Sequence, residues 1–215
     1  VRRPFAALPV SHKGDKVMKH ILGMLTNPQQ EWQRIRDRND SVAGHYFRYL
    51  IWVAVLPPIA WWYGASQIGW ELSGRSIRLT SESAAMMMGM FYITILGAVA
   101  FLGMMIHWMA KTYDARNNDA AHAIGVAAYM CAPMFLVGLT GFYPNLWLDM
   151  LLGTLAAAYT IYLLYIGIPI VYDMPKERGF LFASATVAVG LVLMVSLMGL
   201  TVFLWEMGFS PIFTD

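Results

Sequence analysis

"YLLYIGIPIVYDMPKERGF", Tyr162 to Phe180, is an apolar run that takes up a glycine and a proline near its end and then breaks into Lys-Glu-Arg. No charged residue occurs from Met150 to Tyr172, which is longer than the about 20 residues a helix needs to cross a hydrocarbon core. A second charge-free run, Gly179 to Trp205, follows at once. Pro175 stops a helix, and Lys176 and Arg178 hold the short loop at one membrane face. The stretch therefore reads as the corner of a tight antiparallel hairpin of two membrane spans. Pro169 removes a backbone donor and Gly167 weakens the same turn, so a kink is expected near the end of the first of these spans. Such irregularity survives in lipid only where neighbouring helices or water satisfy the freed carbonyls.

Outward from this hairpin the same pattern recurs. Charge-free windows run from Tyr49 to Trp70, Ser83 to Ala110 and Ala120 to Leu148. The whole chain is 58% hydrophobic and 13% charged, against about 45–50% and about 25% for soluble domains. Five spans are expected, at His45 to Tyr63, Ala84 to Trp108, Ala121 to Phe142, Leu146 to Tyr172 and Phe180 to Met207. The windows are continuously apolar rather than alternating, which argues for helices over strands. The fold class is all-α: a polytopic membrane protein of five transmembrane helices with an amphipathic N-terminal segment. Its expected organisation is 1–44 as a cytoplasmic segment, 45–207 as the transmembrane domain and 208–215 as a short tail. "MKHILGML" from Met18 reads as a natural start, which makes 1–17 an extension.

The segment before the first span carries its own signals. In "TNPQQEW" (Thr26 to Trp32), Asn27 suits a cap and Pro28 the first helical position. Trp32 and Ile35 share one face of the helix that follows, with Arg34, Arg36 and Arg38 around the rest. These residues predict a helix lying on the inner leaflet, with Trp32 and Ile35 among the headgroups and the arginines on anionic lipid. The competing reading is a solvated cap helix, since two apolar positions make a thin stripe.

Lys and Arg set the orientation. The segment up to Arg48 holds nine, the loop after the second span two, the loop after the fourth two, and the opposite side only Arg75 and Arg78. Thirteen against two puts the N-terminus in the cytoplasm and the C-terminus on the outer side of the membrane.

The second half carries a family pattern. "AAYMCAPMFLVGL" (Ala127 to Leu139) is followed by "YPNLW" (Tyr143 to Trp147) and "YTIYLLYIGIPIVYDMPKERGFLFA" (Tyr159 to Ala183). With Pro28 and Trp32 before the first span, it resembles the Yip-domain family, the Ypt/Rab-interacting integral membrane proteins, in its bacterial inner-membrane branch. Tyr129, Pro133, Gly138, Pro144, Tyr162, Tyr165, Gly167, Pro169 and Pro175 carry the match. The loop "KTYDARNNDAAH" (Lys111 to His122) is more charged than the Gly/Ser-rich loop common in relatives. The resemblance implies five membrane helices and a cytoplasmic N-terminus. In eukaryotic relatives it implies binding to small prenylated GTPases.

Chemistry is thinly represented. No nucleophile–base set, phosphate loop or spaced metal-ligand motif occurs, so no catalytic, cofactor or metal residue is assigned and no cofactor is expected. Methionines of the second span, Met86 to Met90, could offer thioethers to Cu(I), but gap-filling between helices is the simpler reading. His107 and His122 with Asp114 and Asp119 read as interfacial histidines beside a solvated loop. Asp149 suits the start of a helix at the outer interface. Small residues such as Ala85/Gly89 and Ala123/Ala127 suit close helix packing. The expectation is a non-enzymatic scaffold or adaptor whose partners are the bilayer, other membrane proteins or a second copy, with no nucleic acid. The alternative is a carrier or channel for a small or lipidic solute.

Overall fold

A computed structural model describes residues 23–37, 50–72, 74–116 and 119–214. Met18, Arg38 and the first residues of the earliest expected span lie outside these. The helical elements are α1 (Pro28–Asp37), α2 (Leu56–Tyr63), α3 (Ser81–Thr112), α4 (Ala120–Met130), α5 (Ala132–Val137), α6 (Leu146–Val171) and α7 (Lys176–Leu204). Residues 23–26 and 50–54 are also helical. A π turn (Gly64–Ile68) extends α2, a 3-10 turn (Gly138–Phe142) extends α5, and a π turn (Trp205–Phe209) ends α7.

Three helices are long and apolar enough to cross a membrane: Ser81–Thr112, Leu146–Val171 and Lys176–Phe209. The pair His122–Met130 and Ala132–Phe142, bent by 43°, makes a fourth candidate if it forms one broken span rather than a re-entrant loop. Pro133 explains the break. It has no N–H for the Tyr129 carbonyl, and its ring crowds the preceding turn. The earliest expected span is represented among the described residues only by 50–54 and α2, separated by a turn at Val55.

The kink expected at Pro169 takes a different form. α6 runs unbroken through Pro169 and stops two residues later. A proline in the last turn deprives only the Tyr165 carbonyl of its partner and leaves nothing helical to redirect. Its ring packs instead on Gly179 of α7, where an added Cβ would lie 2.7 Å from the Pro169 Cβ. The α6–α7 corner is closed by Asp173 in the left-handed region (φ 47°), with the Met174 N–H donating to the Pro169 carbonyl. α3 ends in the same way, at Asp114 (φ 58°) with the Ala115 N–H donating to the Ala110 carbonyl. Both are glycine-type helix ends made with aspartate, a residue that tolerates this conformation better than most.

One end of the bundle carries a small cap that the sequence reading lacks. Strands β1 (Trp70–Leu72) and β2 (Arg75–Ile77) form an antiparallel hairpin, and Gly69 and Gly74 supply its positive φ angles. The tail closes over it. The Thr80 N–H donates to the Ile212 carbonyl, the Thr214 N–H to the Arg78 carbonyl, and the Ile212 N–H to the Ser83 hydroxyl. α6 begins at this end, where Asn145 accepts from the Leu148 N–H and Asp149 accepts from the Asn145 N–H. The helix-start reading of Asp149 fits this reciprocal cap.

The core gathers α1, residues 50–54 and α3 to α7 around Ile106, Leu163, Ile168 and Phe182. Glycines permit its closest crossing. A methyl group at Gly64 would fall on the Gly141 carbonyl oxygen, and one at Gly138 would meet the Pro57 ring at 2.6 Å. Ala123 and Ala127 are fully buried as expected, whereas Gly89 faces open space and Ala85 is exposed. The Ala85/Gly89 pair therefore lines an open groove beside α2 instead of packing closely against it.

Candidate functional site

Three residues of the family pattern, Pro28, Trp32 and Gly167, come together where α1 meets α6, whereas Gly138 and Pro144 lie beside Pro57 and Gly64. Helix 23–26 is followed by Asn27 and then Pro28, the first residue of α1. Pro28 has no N–H, so the Met24 carbonyl has no donor four residues on. The Tyr159 hydroxyl of α6 supplies one at 3.0 Å. One turn further along α1, Trp32 enters the surface of α6 at Gly167. A methyl group at Gly167 would sit 2.5 Å from Trp32 Cε2 and 2.8 Å from Cζ2. The missing side chain is the socket for the indole. This answers what the glycine and proline of the opening stretch do: Gly167 admits Trp32 and Pro169 seats α7.

The expectation that Trp32 and Ile35 lie among lipid headgroups is corrected. They are 0% and 1% exposed, enclosed by protein. The socket at Gly167 and the facing apolar core offer the α1 stripe more contact than a membrane surface would. Glu31 shares the buried face and is paired with Arg34 at 3.0 Å. The Arg34 guanidinium stays outside, as do Gln29, Gln30 and Gln33. Arg36 pairs with Asp37 at 3.0 Å at the edge, and Arg38 lies outside the described residues.

Tyr165 shares a hydrogen bond with Ser184 of α7 at 2.9 Å and packs on Phe180. Tyr129 is buried near the end of α4, Pro133 is buried at the break, and exposed Pro175 precedes α7. Beyond Pro169 an aromatic chain links α4 and α7 with the ends of α3 and α6. His122 meets Tyr172 edge-on at 6.1 Å, Tyr172 packs on Phe182 at 5.4 Å, and Phe182 stacks on Tyr113 at 5.1 Å. Trp32 Nε1, His122 Nε2 and the Tyr172 hydroxyl are buried here without hydrogen-bond partners. Burial, reinforced by the charge of Asp119, pushes the Tyr172 phenol up from its ordinary value and keeps it protonated.

Two ion pairs lace the loops outside this chain reciprocally. Arg116 after α3 meets Asp173 after α6 at 2.8 Å, and Arg178 at the start of α7 meets Asp114 after α3 at 3.7 Å. All four side chains are more than half exposed, in keeping with a solvated loop. Sequence reasoning missed Tyr172 and this lacing, because no spacing rule connects loops so far apart in the chain. Among the described residues no group of three His, Cys, Asp or Glu is placed to hold a metal.

Buried helical crossings, a polar end and a docked amphipathic helix define a polytopic α-helical membrane protein. The Yip1 domain model matches residues 22–197, and the chain belongs to that family. It is 38% identical to "Inner membrane protein YohC" of Escherichia coli K12 over 193 residues, 89% of this chain and 98% of the relative. The protein of the same name from E. coli O6:H1 matches equally. No solved structure matches.

Proposed function

We propose that the protein is a non-enzymatic scaffold or adaptor of a bacterial inner membrane, crossing it five times with a cytoplasmic N-terminus and a periplasmic C-terminus. The dock of α1 carries this reading. Trp32 and Tyr159 pin the helix, while Gln29, Gln30, Gln33 and Arg34 face outward. A pinned polar face loses less conformational entropy on meeting a partner than a free segment would. Charge supports the orientation. Arg34, Arg36, Lys111, Arg116, Lys176 and Arg178 lie at the α1 end and Arg75 and Arg78 at the other, six against two among the described residues. The cytoplasmic side takes the larger share under the positive-inside rule. The fifth crossing rests on 50–54 and α2 together with the charge-free window from Tyr49 to Trp70.

A photo-crosslinking residue at Gln33 of the full chain in bacterial cells tests the adaptor reading. Discrete adducts are expected, and their loss when Trp32→Ala frees the helix. No adducts, or the same adducts after undocking, would end it.

A carrier for an apolar solute has one observation in its favour. A groove of about 450 Å³ opens between α3 and α7, lined mainly by Trp61, Met87, Met88, Met90, Phe91 and Trp205. Transfer of a fluorescent lipid across vesicles holding the purified protein, faster than across empty vesicles, would select that reading instead.

A further inference from the structure

α3 and α7 run antiparallel, pack closely at one end and part toward the other. At the packed end Tyr113 stacks on Phe182 at 5.1 Å. Nineteen residues from that stack along each helix, Thr94 and Thr201 line the groove of about 450 Å³ that opens between them. The helices thus keep register over roughly 28 Å at 1.5 Å per residue, yet they do not close on each other. α3 buries no residue from Ala85 to Ala98, and α7 none beyond Thr186. Helices packed along their length would each bury the stripe they share. The tail bounds the far end of the gap. It crosses from α7 to the start of α3, where the Ile212 N–H donates to the Ser83 hydroxyl and the Thr80 N–H donates to the Ile212 carbonyl. The groove is therefore bounded at both ends and open to the side.

We propose that this groove holds one acyl chain of a membrane phospholipid as a fixed wedge between α3 and α7. Both helices are long and apolar enough to cross a membrane, so the groove opens onto hydrocarbon. A gap left empty would cost its lining atoms their dispersion contacts. Water is a poor filler, because a held water needs two to four polar partners. Thr201 already donates its hydroxyl to the Leu197 carbonyl at 2.9 Å, and apart from Thr94 and two indole N–H groups the other lining side chains are apolar. The length suits one chain. Met87 to Thr94 covers roughly 10 Å of α3, within the about 15 Å that one leaflet fills in a core of about 30 Å. Met87, Met88 and Met90 line the wall with unbranched thioethers that adapt to an irregular chain, a use for the methionine run that needs no copper. The headgroup stays outside, so the site selects the chain and not the headgroup. The proposal deepens the carrier reading by naming an occupant for the same groove, but a lipid can be held without being moved, so retention and transfer are measured separately.

Native mass spectrometry of the full-length protein tests the proposal, with dipalmitoyl phosphatidylglycerol, dipalmitoyl phosphatidylethanolamine and dihexanoyl phosphatidylglycerol as probes. One dipalmitoyl lipid of either headgroup is expected to stay bound, and the dihexanoyl lipid is not. Thr201→Trp and Met90→Trp fill the groove from opposite walls, and each is expected to weaken retention about tenfold. Ile93→Trp puts the same ring on the exposed side of α3 and is expected to leave retention unchanged. A phosphatidylglycerol with a diazirine in one palmitoyl chain gives a second readout that needs no variant. Its adducts are expected to concentrate at Met87 to Thr94 and Thr201 to Trp205, above those at Val192 and Val195 on the exposed surface of α7. A retained lipid without transfer between vesicles would support the bound chain and reject the carrier. No retained lipid, equal retention of the dihexanoyl lipid, undiminished retention in both filled variants, equal loss in Ile93→Trp, or adducts spread evenly along α7 would each overturn the proposal.

Discussion

A single methyl group at position 167 tests the contact on which the α1 dock depends. In Gly167→Ala it would lie 2.5 Å from Trp32 Cε2, inside an indole that is fully buried and cannot swing away. Alanine gains about 1 kcal/mol of helix propensity over glycine, but overpacking costs about 1–3 kcal/mol, so the clash wins. The strain is expected to release α1 rather than unfold the bundle. Hydrogen exchange over residues 28–37 should then quicken while α6 stays protected. Trp32→Phe removes the colliding ring atoms, so the double variant should recover part of the loss, and a double-mutant cycle should give a coupling of about 1 kcal/mol. Additive effects would show that Gly167 has some other purpose. Tyr159→Phe probes the same dock through one oxygen. It should cost about 1 kcal/mol, the price of leaving the Met24 carbonyl without a donor, and should quicken exchange in the same helix.

Helices of similar composition differ in what surrounds their glycines, and that difference separates α2 from α7. Gly64, after α2, faces the Gly141 carbonyl across backbone that has no side chain to yield. Gly190 and Gly199 of α7 have nothing within 4 Å. Gly64→Ala is therefore expected to lower stability by about 3 kcal/mol or more, while Gly190→Ala should raise it by about 0.5–1 kcal/mol. Thermal unfolding of the purified chain in one detergent compares them, and equal effects would contradict the packing described. α3, α6 and α7 were legible in the sequence because a charge-free run of lipid length has few other solutions. So was Pro28, because a proline before a capped amphipathic turn has one good position. A kink was expected at Pro169, and the break at Pro133 was not read. Pro133 breaks its span and Pro169 does not, and the distinction depends on how much helix follows each and on Gly179 packing against the second. The thin stripe of Trp32 and Ile35 was legible as a stripe. Its partner was not, since a glycine socket on α6 looks the same in sequence as a glycine at a kink.

At the scale of the whole molecule, the structure joins distant segments at each end and so makes topology testable by pairs. Backbone hydrogen bonds hold Arg78 and Thr80 to Thr214 and Ile212, so these must share one side of the membrane. Arg116 and Asp173 are ion-paired, as are Arg178 and Asp114, so these loops and the dock of α1 share the other. α3 joins the two ends with 32 residues, roughly 48 Å of helix at 1.5 Å per residue, enough to cross the about 30 Å apolar core. Single cysteines at Asp37, Ser81, Glu177 and Thr214, all exposed, can be placed in a Cys131→Ala background and probed with an impermeant maleimide on intact cells stripped of their outer membrane. Ser81→Cys and Thr214→Cys are expected to label from outside, and Asp37→Cys and Glu177→Cys only after lysis. The two members of each pair must agree whatever the orientation, because the tail hydrogen bonds tie Ser81 to Thr214 and the dock of Trp32 on Gly167 ties Asp37 to the α6–α7 corner that carries Glu177. A reversed result for all four would keep the fold and reject the positive-inside assignment, moving the polar face of α1 to the periplasm. A split within either pair would reject the fold itself.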